Sequence, residues 1–317
     1  MRNAVALLAL LVMACSQAAP VSNSATPPSS RSCRLPISIV DVNGSLKGGA
    51  FVSYPSGKVT IDPNGSSGGY YDRAFSKWLP MSRNSVSPDG ARYAYTERKV
   101  PGTPGQQRLH VVDVSNGNDL LYELGSVGDL SAYVIVDFAP EGVWLSYAGY
   151  EGPGSGLFLL DLVTGALKDV GGPALILEPV AGGSGVFWFT DPGPNPQQVN
   201  TGMGFILPSR VQRLTISDGK TATWFSKPGS YLQILGTDQA GHPIVISSAS
   251  TGNGNEVWLA SSPTQAKVIG LPQGYYQLIA DSHGVWFGGQ QGIYLYSDAG
   301  GLQKVSHQPG YPANGCF

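Results

Sequence analysis

The chain has 317 residues, which is enough for one large domain or two ordinary ones. Only 13% of the residues are charged and the formal net charge is −2, which argues against a nucleic-acid partner and against attraction to an anionic membrane surface. Gly 43, Pro 24 and Tyr 15 are high counts, typical of many short strands joined by turns. We therefore expect an all-β fold.

The first segment has the pattern of an export signal. Arg2 precedes the apolar run from Ala4 to Met13, which is too short to cross a bilayer as a helix but suits the apolar part of a signal peptide. The run ends in VMAC, which resembles the lipobox of bacterial lipoproteins. That resemblance implies cleavage before Cys15 and acylation of its side chain, so that the protein would be held on the outer face of the cell membrane or on another envelope membrane. An ordinary secretory signal cut after Ala18 is the alternative.

The next segment, SQAAPVSNSATPPSSRS, has no hydrophobic periodicity and few large apolar residues. Such a composition cannot form a core and predicts a disordered tether. We therefore divide the chain into a signal peptide at 1–14, a Ser/Pro-rich tether at 15–32 and a folded domain at 33–317. The folded domain would lie outside the cytoplasm, where disulfides persist.

Within the folded domain, two kinds of segment alternate. The first is a turn followed by an alternating strand, as in GGAFVSY (48–54), DGARYAY (89–95), EGVWLSY (141–147), SGVFWFT (184–190), GHPIVIS (241–247) and HGVWFGG (283–289). The second is a strand that ends in a turn, as in LHVVDVSNG (109–117) and LFLLDLVTG (157–165). Further apolar strands lie before and after most of these pairs. A unit of four strands therefore recurs roughly every 40 to 60 residues, which is typical of a β-propeller.

One repeat is specific enough to compare with a known class. The segment SVSPDGARYAY (85–95) resembles the repeats of TolB-like and other WD40-like bacterial propellers. Its Pro88-Asp89-Gly90 sequence is suited to a tight turn. The resemblance implies a propeller architecture from Pro36 to about Ser306, and it assigns no catalytic role to any residue. Six four-stranded blades fit the repeats best, seven blades are the alternative, and an array of β-sandwiches is the rival fold.

The cysteines bear on how such a ring would close. Cys33 precedes the first predicted blade and Cys316 follows the last, and these two blades are neighbours in a ring. With Cys15 assigned to lipidation, the remaining pair predicts a disulfide that closes the ring in place of a shared strand. Two free thiols are the alternative.

Long loops predict a binding surface on one face of the ring. The connections at 98–107, 148–155 and 191–208 join second to third strands, and functional residues are concentrated in long loops on rigid scaffolds. Several tyrosines begin the innermost strands on the same face, where they would either bind a ligand or pack between blades. The candidate ligand-binding residues are Tyr133, Tyr147, Tyr150, Glu151, Asp191, Asn195, Tyr231, Tyr275 and Tyr276.

Candidates for chemistry are few. The sequence has no HExxH, CxxC or G-x-S-x-G motif, and we assign no catalytic residue, cofactor or metal. Acidic residues do recur near the ends of the predicted innermost strands, and carboxylates that converged on the channel would suit Ca²⁺. Local turn hydrogen bonds are the competing explanation for these residues. They are Asp41, Asp137, Glu178, Asp238 and Asp281.

The sequence therefore favours a non-catalytic role. We expect a monomeric, membrane-tethered propeller that binds or scaffolds an envelope or extracellular protein, peptide or glycan. The alternative is a propeller enzyme of the lactonase, cyclotransferase or lyase type with a metal in its channel.

Overall fold

The first described strand begins at Cys33, and the strands follow one another almost without other regular structure. The computed structural model describes residues 32–65, 69–97, 105–127, 131–149, 156–171, 177–183, 185–193, 208–249 and 254–317. In these ranges the regular structure is β-strand, apart from one 3₁₀ turn at Arg83–Ser85. The all-β prediction is confirmed. No helix of the described residues is long and apolar enough to cross a bilayer.

The strands are numbered in chain order. The first eight are β1 (Cys33–Val40), β2 (Leu46–Tyr54), β3 (Val59–Asp62), β4 (Tyr70–Asp72), β5 (Lys77–Leu79), β6 (Arg92–Thr96), β7 (Gly105–Asp113) and β8 (Asp119–Val127). The next eight are β9 (Ser131–Ala139), β10 (Gly142–Gly149), β11 (Leu157–Leu160), β12 (Leu167–Asp169), β13 (Leu177–Gly183), β14 (Val186–Asp191), β15 (Arg210–Thr215) and β16 (Lys220–Ser226). The last nine are β17 (Ser230–Thr237), β18 (Pro243–Ala249), β19 (Asn255–Ser262), β20 (Gln265–Val268), β21 (Tyr276–Asp281), β22 (Gly284–Gly289), β23 (Gly292–Ser297), β24 (Gly301–Ser306) and β25 (Gly310–Pro312).

These strands form antiparallel sheets in which neighbours in sequence are neighbours in space. Sheet 1 has the order β25-β1-β2-β3, sheet 2 contains β6-β7-β8, sheet 3 contains β9 to β12, sheet 4 β13 to β16, sheet 5 β17 to β20 and sheet 6 β21 to β24. Strands β4 and β5 form a separate hairpin. The first strands of consecutive sheets contact each other in the series β9, β13, β17, β21 and β25. Meandering four-stranded sheets that meet along their first strands are the blades of a propeller.

The core lies between consecutive sheets, and this explains the near-continuous apolar runs of the repeats. Side chains of neighbouring strand residues point to opposite faces. In β22, Trp286 therefore packs with Leu35 and Ile293 of one cluster, while Phe287 packs with Ile244 of another. Both rings are fully buried. A strand buried on both faces needs an apolar residue at every position, so the alternation seen in half-exposed strands is lost.

The ends of the chain meet in sheet 1. Cys33 and Cys316 form a disulfide across 283 residues of sequence, as predicted. The expectation that the disulfide replaces a shared strand is not met, because β25 pairs with β1 as the innermost strand of sheet 1. The sequence does not predict a strand at Gly310–Pro312, because three residues are too few to show an alternating pattern. Strand β1 is consequently the second strand of its sheet and not the first.

The hairpin of β4 and β5 lies outside the repeats and is anchored by one ring. Trp78 packs directly against Gly49 of β2, where a Cβ atom would come within 2.4 Å of the indole. Its Nε1 donates to Asp62 Oδ2 at 2.9 Å. The hairpin also connects to the end of the chain, because Tyr71 N donates to Ala313 O at 3.0 Å. These contacts hold Tyr70, Tyr71 and Asp72 beside the C-terminal segment.

Candidate functional site

A cavity of about 750 Å³ opens between the hairpin, the Pro88–Gly90 turn, the end of β21 and the segment Asn314–Phe317. It lies on the face where the first strand of each sheet ends and the second begins, which we call the turn face. The opposite face, which carries the long loops, is the loop face. The volume falls in the range of small-ligand sites, roughly 300–1,000 Å³.

Tyr70 places a hydroxyl at the wall of this cavity. The ring is buried, and the hydroxyl accepts a hydrogen bond from Asn314 Nδ2 at 2.8 Å. Burial raises the pKa of Tyr70, and the neighbouring Arg83 and Arg73 guanidinium groups act in the opposite direction. Among the described residues this hydroxyl has no acceptor for its own hydrogen, so its O–H is available to donate.

Arg73 and Arg83 both line the cavity. The Arg73 guanidinium lies over the Phe317 ring at 4.9 Å, and that of Arg83 lies over the Tyr70 ring at 5.5 Å. Arg83 Nη1 also donates to Val86 O at 3.0 Å. Within the described part of the chain neither guanidinium pairs with a carboxylate. Two arginines that keep unused donors at one wall are able to bind a planar anionic group.

Asp72 is the most deeply buried acid of the site, with 2% of its surface exposed. Its Oδ1 accepts from Ala74 N at 2.8 Å, while Oδ2 is buried and has no hydrogen-bond partner among the described residues. The carboxylate lies against Gly90, where a Cβ atom would come within 2.8 Å of Oδ1. A buried carboxylate oxygen without a partner is costly to the fold, which is typical of functional sites.

Asp281 connects the cavity to the disulfide. Its Oδ2 accepts from Cys316 N at 2.6 Å and from Trp286 Nε1 at 2.8 Å. Its Oδ1 accepts from His283 N at 2.7 Å. Because both oxygens are engaged in this way, Asp281 acts as a rigid support for the C-terminal wall.

The aromatic rings near the cavity are already stacked. Phe317 lies parallel to Tyr71, with ring centroids 5.8 Å apart and planes at 4°. Phe51 contacts the Tyr71 ring edge-on at 5.1 Å. Arg73 covers Phe317 as well, so that these rings build the wall and offer little open face.

The predicted ligand-binding tyrosines occupy several environments. Tyr133 and Tyr276 are buried, with 9% and 2% of their surfaces exposed, and they pack in the cores between sheets. Burial raises the pKa of Tyr276 to about 12. Tyr147 contacts the Tyr133 ring at 5.4 Å, and Tyr231 lies half-buried in β17. Tyr275 is 61% exposed, at the start of sheet 6 on the loop face.

Of the four remaining predicted rim residues, one forms a salt bridge and three lie outside the described residues. Asp191 ends β14 and binds Arg210 through two hydrogen bonds, Nε to Oδ1 at 2.7 Å and Nη2 to Oδ2 at 2.9 Å. Tyr150, Glu151 and Asn195 lie outside the described residues. The predicted rim therefore remains a prediction.

The five acids proposed as an alternative metal site do not share one location. Asp41 directly follows β1, the second strand of sheet 1, and so lies on the loop face, where it pairs with Lys47 at 3.0 Å. Asp238 and Asp281 lie on the turn face and accept turn hydrogen bonds from His242 N and His283 N. Burial raises the pKa of Asp137, and the positive charge of Arg83 partly offsets this rise. The side chain of Glu178 lies outside the described part of the chain.

Asp41, Asp238 and Asp281 thus accept local turn hydrogen bonds. Over the described ranges, no group of three His, Cys, Asp or Glu side chains is placed to hold a metal ion.

The cavity on the turn face was not predicted from the sequence. Its wall combines repeat turns, at Pro88–Gly90 and at the end of β21, with the hairpin sequence YYDRAFSKWL (70–79) and the residues after the last blade, which have no counterpart in the other units. An aromatic and charged insertion between two repeats was the available signal. Loop length, by contrast, predicts a site on the loop face.

Comparison with known proteins assigns the chain to no family: no family model matches it, and no curated protein does. Solved structures similar to the chain include TolB from Acinetobacter baumannii, at 11% identity and a TM-score of 0.49, with 89% of this chain and 67% of that one covered. Oligogalacturonate lyase from Vibrio parahaemolyticus matches at 11% identity and a TM-score of 0.47, with 87% and 78% covered. A prolyl endopeptidase matches at 12% identity and a TM-score of 0.49, with 89% and 49% covered. These values are too low to indicate a function.

Proposed function

We propose that the chain is an exported, lipid-anchored propeller of six blades that binds a partner molecule at the turn-face cavity. The sheets support six blades, since each of sheets 1 and 3 to 6 has four strands. Sheet 2 has three strands, and Val86 takes the place of its innermost strand through a bridge to Tyr93. The export signal and the lipid on Cys15 rest on the N-terminal sequence alone.

The observation that carries the proposal is the composition of the cavity wall. Tyr70, Arg73 and Arg83 each keep N–H or O–H groups that no acceptor among the described residues uses, on a wall that hydrogen bonds and stacked rings keep in place. Such fixed and unused donors favour binding of a polar ligand, because little conformational freedom is lost when the ligand binds. Binding requires only these donors and no catalytic group.

Site-specific photocrosslinking tests where the partner binds. A photoreactive phenylalanine analogue at Ser76, which lines the cavity, should give crosslinked products in cells. The same analogue at Val163, which is 95% exposed in a turn that does not line the cavity, is the matched control. Products from Tyr150 on the predicted rim but none from Ser76 would place the binding surface on the loop face and refute the proposal for the cavity.

Metabolic labelling with an alkyne fatty acid tests the anchor. Labelling is expected in the natural chain and should be absent in the Cys15→Ser variant. Equal labelling of the two would contradict lipidation at Cys15.

A further inference from the structure

We propose that the turn-face cavity recognises a peptide through its free carboxylate. The Tyr70 hydroxyl and the guanidinium groups of Arg73 and Arg83 bind this carboxylate, and the carboxylate of Asp89 accepts a hydrogen bond from a peptide N–H. This inference rests on the proposed binding function and specifies its ligand.

The donors of the cavity require an acceptor. The Tyr70 hydroxyl uses its oxygen to accept from Asn314 Nδ2 and keeps its hydrogen free. Among the described residues, the Arg73 guanidinium contacts the Phe317 ring, and Arg83 uses one N–H on Val86 O. A carboxylate offers two oxygens that accept several hydrogen bonds at once, and guanidinium groups bind it with matching planar geometry.

The acids of the cavity require a ligand that also donates. Asp89 Oδ1 accepts from Ser87 Oγ at 2.6 Å and from Ala91 N at 3.0 Å, which leaves Oδ2 free to accept. Asp72 and Asp281 add negative charge to the same wall. A simple anion has no N–H donor to offset its repulsion by these carboxylates. A peptide combines a carboxylate with N–H donors and so satisfies both parts of the wall.

The aromatic residues favour a peptide over a sugar. Proteins bind sugars by stacking the C–H groups of the sugar ring on an open face of an aromatic side chain. Here Phe317 stacks on Tyr71 and is covered by Arg73, while Arg83 lies over Tyr70. The ring faces are thus occupied by the protein itself.

Calorimetric titration of the full-length chain tests the inference with two probes. One is a pool of tripeptides with free C termini, and the other is the same pool amidated at its C termini. The free pool should bind, and amidation should weaken binding about tenfold or more, the size expected for hydrogen bonds to a charged group. Arg73→Gln, Arg83→Gln and Tyr70→Phe should each weaken binding of the free pool several-fold.

The matched control is Arg213→Gln, since Arg213 also lies over an aromatic ring, that of Trp224 at 5.7 Å, but far from the cavity. It should leave binding unchanged, and unchanged melting temperatures in all variants would exclude loss of fold. Equal binding of the two pools, absence of binding, or binding of a glucuronic acid oligosaccharide in place of the peptides would each overturn the inference. If crosslinking from Ser76 persists in that case, the proposed binding function stands without its peptide ligand.

Discussion

At the residue scale, the backbone conformation of Gly90 and its contact with Asp72 both require a glycine. Its φ is +75°, which favours glycine, and a Cβ atom there would come within 2.9 Å of both carboxylate oxygens of Asp72. We expect Gly90→Ala to lose about 1–2 kcal/mol of unfolding free energy from the backbone conformation and about 1–3 kcal/mol more from crowding. Urea denaturation measures the loss.

Gly117 provides the control for this prediction. Its φ is +73°, and no atom lies within 4 Å of its Cβ position. Gly117→Ala should therefore show only the conformational part of the loss. If the two variants are equally destabilised, Asp72 is free to move and is not held against the turn. An added Asp72→Ala change should reduce the excess cost of Gly90→Ala, as expected for coupled neighbours.

His110 predicts a pH dependence of stability. Burial of the ring disfavours its charge, but hydrogen bonds to Asp119 Oδ2 at 2.8 Å and Glu97 Oε1 at 3.3 Å raise the pKa of His110 above its usual 6.5. A raised pKa in the folded state stabilises the fold at low pH, and the contribution is lost as pH rises through the folded-state pKa. Since Glu97 and Asp119 are partly exposed, we expect less than about 1 kcal/mol.

The measurement compares the natural chain with His110→Gln. Between about pH 6 and pH 9 the natural chain should lose more unfolding free energy than the variant. Parallel pH profiles of the two proteins would show that His110 does not titrate with these partners.

At the element scale, the sequence predicts the repeated strands, but it predicts neither the hairpin of β4 and β5 nor strand β25. The turn-plus-strand pattern located β6, β10, β14, β18 and β22 because their turns and aromatic alternation recur. The hairpin of β4 and β5 has no counterpart in the other units, so no repeat could reveal its place. Strand β25 is too short to show a pattern, and only contact with β1 defines it. Residues fixed by long-range pairing are those that local patterns do not reveal.

The docking of the hairpin depends on Trp78. The ring is 7% exposed and packs with Phe51, Tyr71 and Ala313. We expect Trp78→Ala to reduce the unfolding free energy by about 3–5 kcal/mol, as for other buried aromatic residues. Phe75→Ala is the control in the same hairpin, because Phe75 is 42% exposed. Similar losses in the two variants would mean that the hairpin is held by its backbone and not by this ring.

At the scale of the whole molecule, two devices join the ends of the chain. The disulfide joins Cys33 to Cys316, and β25 pairs with β1 through Ile37–Ile39. The two devices act on different states: the disulfide restricts the unfolded chain, while the strand pairing stabilises the folded one. Variants that remove them one at a time separate their contributions.

The disulfide prediction follows from the length of the loop that it closes. The chain-entropy model gives about 5–6 kcal/mol for so long a loop, and native disulfides typically contribute about 2–5 kcal/mol. We expect the Cys33→Ala/Cys316→Ala variant to lose unfolding free energy near the upper end of that range. Gly310→Ala keeps the disulfide but crowds β25 against Ser38 O, at 2.9 Å from its Cβ position, and should cost about 1–3 kcal/mol. A cysteine variant that loses no more than Gly310→Ala would show that strand pairing alone closes the ring, and two reactive thiols in the denatured, unreduced chain would show that the bond is absent.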